Sequence, residues 1–152
     1  MPDSNIVLRP ACSKDREAVR GLIGELGYQI DRGAPFERIF TSMLADPSHT
    51  LLVAESEGVV VGFAGWSRVP SLHLCGQTLL LDELAVAASA RGKGVGKALL
   101  AALSAAAQEL GAVRIKLTTN RARESYRRGF YLKNGYTETN SAVFRIDLVS
   151  EV

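Results

Sequence analysis

An apolar, strand-like run, Leu84-Ala85-Val86, leads into a basic, glycine-rich turn, Arg91-Gly92-Lys93-Gly94-Val95-Gly96-Lys97, that opens directly into a helical pattern. That order, strand then tight turn then helix, limits the chain more than any other feature. The helix start carries several backbone N–H groups with no partner, and it behaves as roughly half a positive charge. Gly92, Gly94 and Gly96 leave the backbone open to close approach, while Arg91, Lys93 and Lys97 add full charges. The predicted role is a turn that grips a diphosphate.

Two commoner phosphate motifs fail on spacing. A nucleotide-triphosphate loop needs Gly, four residues, then Gly-Lys-Ser/Thr. Here Gly96-Lys97 is followed by Ala98, and Arg91 stands where the first glycine should be. A dinucleotide fingerprint counted from Gly92 meets Lys97 at its third glycine.

The remaining pattern is Arg-x-x-Gly-x-Gly, read as Arg91, Gly94 and Gly96, after a strand carrying Asp82-Glu83-Leu84-Ala85-Val86. It resembles the acetyl-coenzyme A signature of the GCN5-related N-acetyltransferase (GNAT) family. The resemblance spans residues 6–148. It includes the opening Arg9-Pro10-Ala11 with Asp15 shortly after, and the ending Phe130-Tyr131-x-x-x-Gly135-Tyr136.

The 152 residues suit one domain, taken as 1–152, able to bury about two-thirds of its unfolded surface. Eighteen basic residues against sixteen acidic give a net charge of +2, which argues against a general nucleic-acid binder. Cys12 and Cys75 have no metal spacing and are expected to be small buried hydrophobes or bystanders. No apolar run approaches a membrane span and no apolar leader opens the sequence, so a cytoplasmic setting without membrane association is expected.

Residues 6–8 read as a first strand. Ser13 is placed to cap a helix whose Ala18, Val19, Leu22, Ile23 and Leu26 share a face, and Gly27 ends it. Pro35 opens a second helix with Phe36, Ile39, Phe40, Met43 and Leu44 on its apolar side. Strands at 51–55 and 59–66 meet at Glu57-Gly58 as a hairpin. A polar loop and a strand at 78–86 follow. Val95, Leu99, Leu103, Ala106 and Leu110 then mark an amphipathic helix closed by Gly111. A strand at 113–118 should lie parallel to 78–86 after a right-handed crossover. A short helix at 123–134 and a closing strand pair, near 136–139 and 143–148, complete the order βααβββαβαββ. The expected fold class is α/β (α+β): a mixed, mostly antiparallel sheet with a central parallel strand pair flanked by helices. This order is also the one the resemblance implies.

The resemblance implies acetyl transfer from acetyl-coenzyme A to a primary amine, with no metal. An alkyl ammonium of pKa about 10.4 is neutral in only roughly one molecule in 2,500 at pH 7, so the site has to take its proton. Asp82 and Glu83 precede the presumed thioester position, and one of them is the expected base. Glu83 is preferred, and the choice stays open because a bulge would change the parity of the strand. The resemblance assigns a main-chain N–H near Leu84, Ala85 and Val86 to the thioester carbonyl, and Tyr131 to protonation of the leaving thiolate. The Asn that many members carry about seven residues before that tyrosine is replaced by Glu124. Asn120, the stand-in for cofactor contact, falls earlier. Gly129 within the predicted helix points to close packing or a local irregularity.

His49 and His73 belong to no ligand pattern, and Trp66 reads as core. Arg121, Arg123, Arg127 and Arg128 suit either adenosine phosphates or a solvated charged face. Acidic Asp31, Glu37 and Asp46 lie in the segments expected to shape the acceptor site. The acceptor, a small molecule or a peptide or protein, stays open, and a homodimer is compatible. Two other readings remain: a non-catalytic coenzyme A-binding sensor or docking module, and a small nucleic-acid binder using the arginine run.

Overall fold

The structure, a computed structural model, describes residues 5–30 and 33–149. Asp31 therefore lies outside the described residues. Two compact units divide the chain, Met1–Thr118 and Thr119–Val152.

The first unit is a five-stranded sheet in the order β1-β2-β3-β4-β5. The strands are β1 (Ile6–Pro10), β2 (His49–Ser56), β3 (Val59–Ser71), β4 (Gly76–Val86) and β5 (Arg114–Leu117). The first four pair antiparallel in sequence order, and β5 joins β4 parallel. The hairpin forms where it is expected, because Glu57 (φ 52°) and Gly58 (φ 78°) both adopt the left-handed geometry that matches strand twist. Strands β3 and β4 run further than their sequence suggests. Their pairing reaches Ser71 opposite Gly76, which shrinks the predicted polar loop to a four-residue turn, 72–75.

Three helices cover the sheet: α1 (Arg16–Glu25), α2 (Gly33–Ala45) and α3 (Val95–Leu110). Val19, Leu22 and Ile23 of α1 and Phe40 of α2 form a buried cluster with Leu51, Val53, Phe63 and Ala85. Gly62, next to Phe63, faces the opposite way. A Cβ there would fall 2.8 Å from Val95 Cγ1 and 3.4 Å from Leu99 Cδ1, so α3 lies on the other face, seated directly against the β3 backbone. The buried stripe of α3 is Val95, Leu99, Leu100, Leu103 and Ala107, displacing the expected Ala106 and Leu110; Leu110 is exposed.

Ser13 does not cap α1. It lies in a 3₁₀ turn, Ser13–Asp15, and Asp15 becomes the N-cap of α1. The Asp15 carboxylate accepts the Cys12 backbone N–H at 2.8 Å and both Arg9 guanidinium N–H groups at 2.8 Å. Arg9 also bonds Glu55. This gives a physical reason for the Arg9…Asp15 spacing: it ties the first strand to the start of the first helix. The Arg9 charge holds the Asp15 carboxyl down at about 2.

In the second unit the predicted helix is broken into two single turns, α4 (Glu124–Arg127) and α5 (Phe130–Lys133), with Gly129 between them at φ 70°. Gly135 (φ 91°) closes α5, with its N–H on Leu132 O and the Tyr136 N–H on Tyr131 O. That is a left-handed cap, and the Tyr131 and Tyr136 rings meet edge to face across it at 6.1 Å. The closing strand pair does not form: residues 136–149 carry no strand. The β4–β5 pair therefore stands at one end of the sheet order and not at its centre. A strand exists only when its backbone groups find a partner, and alternation alone cannot supply one.

Both cysteines are exposed, which fits bystanders and not buried hydrophobes. Cys75 occupies a left-handed position (φ 54°) in the β3–β4 turn. Trp66 is buried, as expected. Among the described residues no helix is long and apolar enough to cross a membrane.

Candidate active site

The parallel ladder between β4 and β5 ends at Leu81 opposite Leu117, whereas β4 continues to Val86. Residues 82–86 keep β3 on one side and have no β5 residue opposite on the other. Ala87 donates its N–H to Val61 O at 2.8 Å, and antiparallel hydrogen bonding alternates along the strand. The N–H and C=O of Ala85 and Glu83 therefore face β3, while those of Leu84 and Val86 face the side that β5 has left. Arg91 Nε donates to that outward Val86 carbonyl at 3.3 Å. The Ala85 side chain is core.

The strand bulges one step earlier. Gly65 pairs with Glu83 and Trp66 with Leu81, so Asp82 is the extra residue. A bulge re-aims side chains, and here it turns two sequence neighbours to one face. Glu83 lies opposite Gly65, whose Cβ direction points at Leu51 in the cluster under α1 and α2. Asp82 bonds Ser67, which lies on that same face two residues beyond Gly65. Partial loss of hydration raises the Glu83 carboxyl above its usual range, and the nearby Asp82 charge raises it further. Asp82 is also raised, chiefly by lost hydration, with the Ser67 bond and His49 acting against it. Both carboxylates still reach solvent. A carboxylate that reaches solvent yet holds a proton more tightly than usual is a stronger base than an ordinary one.

His49, read from the sequence as part of no ligand pattern, lies at the start of β2. It pairs across the sheet with Ser67, and its Nδ1 lies 3.1 Å from Asp46 Oδ2. Asp46 also accepts the Ser48 backbone N–H at 2.8 Å and hydroxyl at 2.7 Å, which keeps its carboxyl low. A polar line thus runs Asp46, His49, Ser67, Asp82 across three strands. No spacing in the sequence signals it, because strand register creates it. Glu37, the other acid placed near the acceptor, is engaged by Arg16.

After β4 a 3₁₀ turn, Ala88–Ala90, leads to Arg91, then Gly92 (φ 77°) and Gly94 (φ 85°). Gly94 is the N-cap of α3, and Ala98 is the first helix residue to bond back, to Gly94 O at 3.0 Å. The N–H groups of Val95, Gly96 and Lys97 are therefore at the free helix start. A Cβ on Gly92 would meet no atom within 4 Å, so this turn is open. Arg91, Lys93 and Lys97 are exposed around it, whereas the Val95 side chain is buried against Gly62 and offers only its backbone.

In the second unit Tyr131 packs edge to face on Phe130 at 5.0 Å and on Tyr136. Burial raises its phenol above the usual value, with Arg123 opposing, so it stays protonated at neutral pH. Tyr126 and Arg121 are bonded to Glu138. Asn120 uses its side-chain oxygen to accept the Ala122 N–H at 2.8 Å, a local turn contact. Arg128 lies over the Phe130 ring at 5.7 Å.

A family model described as the acetyltransferase (GNAT) family matches residues 17–136. The chain belongs to the GNAT family. This GNAT chain is 33% identical over 138 residues to the aminoalkylphosphonate N-acetyltransferase of Salmonella typhimurium (strain LT2), which covers 88% of this chain and 86% of that protein. The glucosamine-6-phosphate N-acetyltransferase of Arabidopsis thaliana superposes with TM-score 0.78 at 21% identity, over 93% of this chain and 97% of that one. A Bacillus halodurans C-125 protein described as a transcriptional regulator superposes with TM-score 0.84 at 22% identity, over 93% and 99% of the two chains. At such identities the structural likeness is one of fold. This GNAT protein is an acetyltransferase enzyme with N-acetyltransferase relatives, and its acceptor carries an amine.

Proposed function

We propose that this enzyme transfers acetyl from acetyl-coenzyme A to a primary amine on a small molecule, with Glu83 as general base and Asp82 as its electrostatic partner. The observation that carries the reading is the β4 bulge. It turns both carboxylates to one face just where the Leu84 and Val86 N–H groups lose their neighbouring strand.

The open glycine turn and free start of α3 suit a diphosphate, with Arg91, Lys93 and Lys97 as counter-charges. Acetyl-coenzyme A supplies the thioester. Glu83 accepts the ammonium proton, freeing the nitrogen lone pair to form the N–C bond. The outward N–H of Leu84 or Val86 donates to the carbonyl oxygen as negative charge develops there. Tyr131, protonated at neutral pH, gives its proton to the sulfur as the C–S bond breaks, and the second proton that the nitrogen loses on becoming an amide passes through water back to the Tyr131 oxygen.

An aminoalkylphosphonate, the acceptor class in the name of the Salmonella relative, is the first acceptor to test. A cytoplasmic setting and one functional unit over residues 1–152 belong to the same reading. The experiment is a thiol-release assay over a panel of amines with and without a phosphonate. Turnover with at least one small primary amine is the expected result. Coenzyme A binding without turnover on any amine, peptides included, would turn the reading toward a binding module.

A further inference from the structure

Helix α1 ends on a residue that its own position disfavours. Glu25 is the last residue of the helix, where unpaired carbonyls make the end partly negative and a basic side chain is the usual choice. No basic residue occupies that last turn. The Glu25 carboxylate instead accepts the Ala88 backbone N–H at 3.0 Å, from a residue sixty-three positions further along the chain. A side chain at odds with its own helix end and bonded so far away has a long-range role.

Ala88 opens the 3₁₀ turn, Ala88–Ala90, that carries the chain from β4 into the glycine-rich segment. The sheet's hold ends one residue earlier, where the Ala87 N–H donates to Val61 O. Beyond it the Ala90 and Arg91 N–H groups bond only within the turn, to Ala87 O at 2.9 Å and Ala88 O at 3.4 Å. Among the described residues, Glu25 supplies the one side-chain bond to the backbone of residues 87–90. A cavity of about 220 Å³ borders the same turn, lined in part by Ser89, Ala90, Lys93 and Val95, so packing alone does not fix it. Every residue of this arrangement belongs to the unit Met1–Thr118.

We propose that Glu25 is a positioning residue for coenzyme A. By holding Ala88 it sets the direction in which the chain leaves β4, and so aims Arg91 and the free start of α3 at the diphosphate. The inference rests on the reading of that turn as the diphosphate site and adds to it a residue from the first helix. The physical gain is preorganisation: a turn already held in its binding geometry does not have to be ordered when the ligand arrives. The sign of the effect is distinctive. A diphosphate is anionic, so loss of the Glu25 charge by itself would tighten coenzyme A. Loss of the bond weakens it.

Calorimetry with coenzyme A on the full chain separates the two. Glu25→Ala removes bond and charge together and should weaken coenzyme A by about three- to tenfold. Glu25→Gln keeps an acceptor oxygen and removes the charge, so its affinity should stay within about twofold of the unmodified protein or be tighter. In the thiol-release assay Glu25→Ala should raise KM for acetyl-coenzyme A with kcat nearly unchanged, and Glu25→Gln should restore KM. If Glu25→Ala does not fold, Glu25→Asp takes its place with the same expectation, since it withdraws the carboxylate by one methylene and keeps the charge. Unchanged or tighter binding in that variant overturns the proposal, as does a Glu25→Gln protein that binds no better than it. Gly94→Asp is the reference. If it abolishes binding while the Glu25 variants do nothing, the turn holds the diphosphate and Glu25 has no part in it. If Gly94→Asp leaves binding intact, the diphosphate reading falls, and this inference with it.

Discussion

Two neighbouring carboxylates on one strand would ordinarily point to opposite faces, and only one could reach an acceptor. The bulge at Asp82 removes that restriction, and the two then act on each other. As the proposed base, Glu83 would act only when deprotonated, so turnover should rise with pH through its raised pKa. Asp82→Asn removes the like charge that helps hold Glu83 up, and the acid limb of the kcat/KM–pH profile should move to lower pH. Glu83→Gln should lower kcat by about 10²–10⁴-fold at neutral pH, with partial recovery as pH rises and more acceptor is already neutral. An acid limb that stays in place in Asp82→Asn would remove the coupling between the two. Tyr131→Phe should lower kcat with little change in acetyl-coenzyme A affinity, because in the proposed mechanism the lost hydroxyl acts on the leaving sulfur. The types of these residues were legible in the sequence. The shared face of Asp82 and Glu83 was not, because a bulge is a property of two strands in register. His49 was missed for the same reason: Ser67 and Asp82 become its neighbours only through pairing.

The turn and helix α3 were readable because their physics is local. Left-handed geometry at Gly92 and Gly94, a free helix start and a stripe repeating every fourth residue all follow from nearby sequence. Gly94→Asp should abolish most coenzyme A affinity in a folded protein, measured by calorimetry, since it adds strain and a negative charge at a left-handed helix cap. The seating of α3 depends on a residue thirty-three positions before its start. Gly62→Ala would drive a Cβ to 2.8 Å from the stiff Val95 side chain and 3.2 Å from the Ala85 backbone oxygen. It should cost about 1–3 kcal/mol in denaturant unfolding. In the second unit, Gly129 is the local irregularity that its place in a helical pattern predicts. Its left-handed φ breaks the helix into two turns where periodicity alone predicted one.

The Arg9–Asp15 tie joins the first strand to the first helix, and its pH dependence has a definite sign. Asp15 is held at about 2 by Arg9, below its value of 3.8 in a free chain. A depressed carboxyl stabilises the fold fully above the unfolded value, and that contribution is lost as pH falls from about 4 toward 2. Asp15→Asn should lower unfolding stability by about 1–2 kcal/mol at pH 7, a figure reduced for the partly solvated Arg9. The gap from the unmodified protein should narrow below about pH 4 and close only toward about pH 2, and a gap that persists there would show that the tie is not ionic. Length, charge, the Arg91–Lys97 turn, the helix stripes and the Glu57-Gly58 hairpin were fixed by neighbours within a few residues, and each was present in the chain before any fold was known. Strand lengths, the Asp82 bulge, the Asp46–His49–Ser67–Asp82 line and the fate of residues 143–149 were decided by tertiary structure. The reason is physical: a strand takes its register, its ends and its very existence from a partner distant in the chain, and alternation in one segment specifies a face without specifying what will cover it.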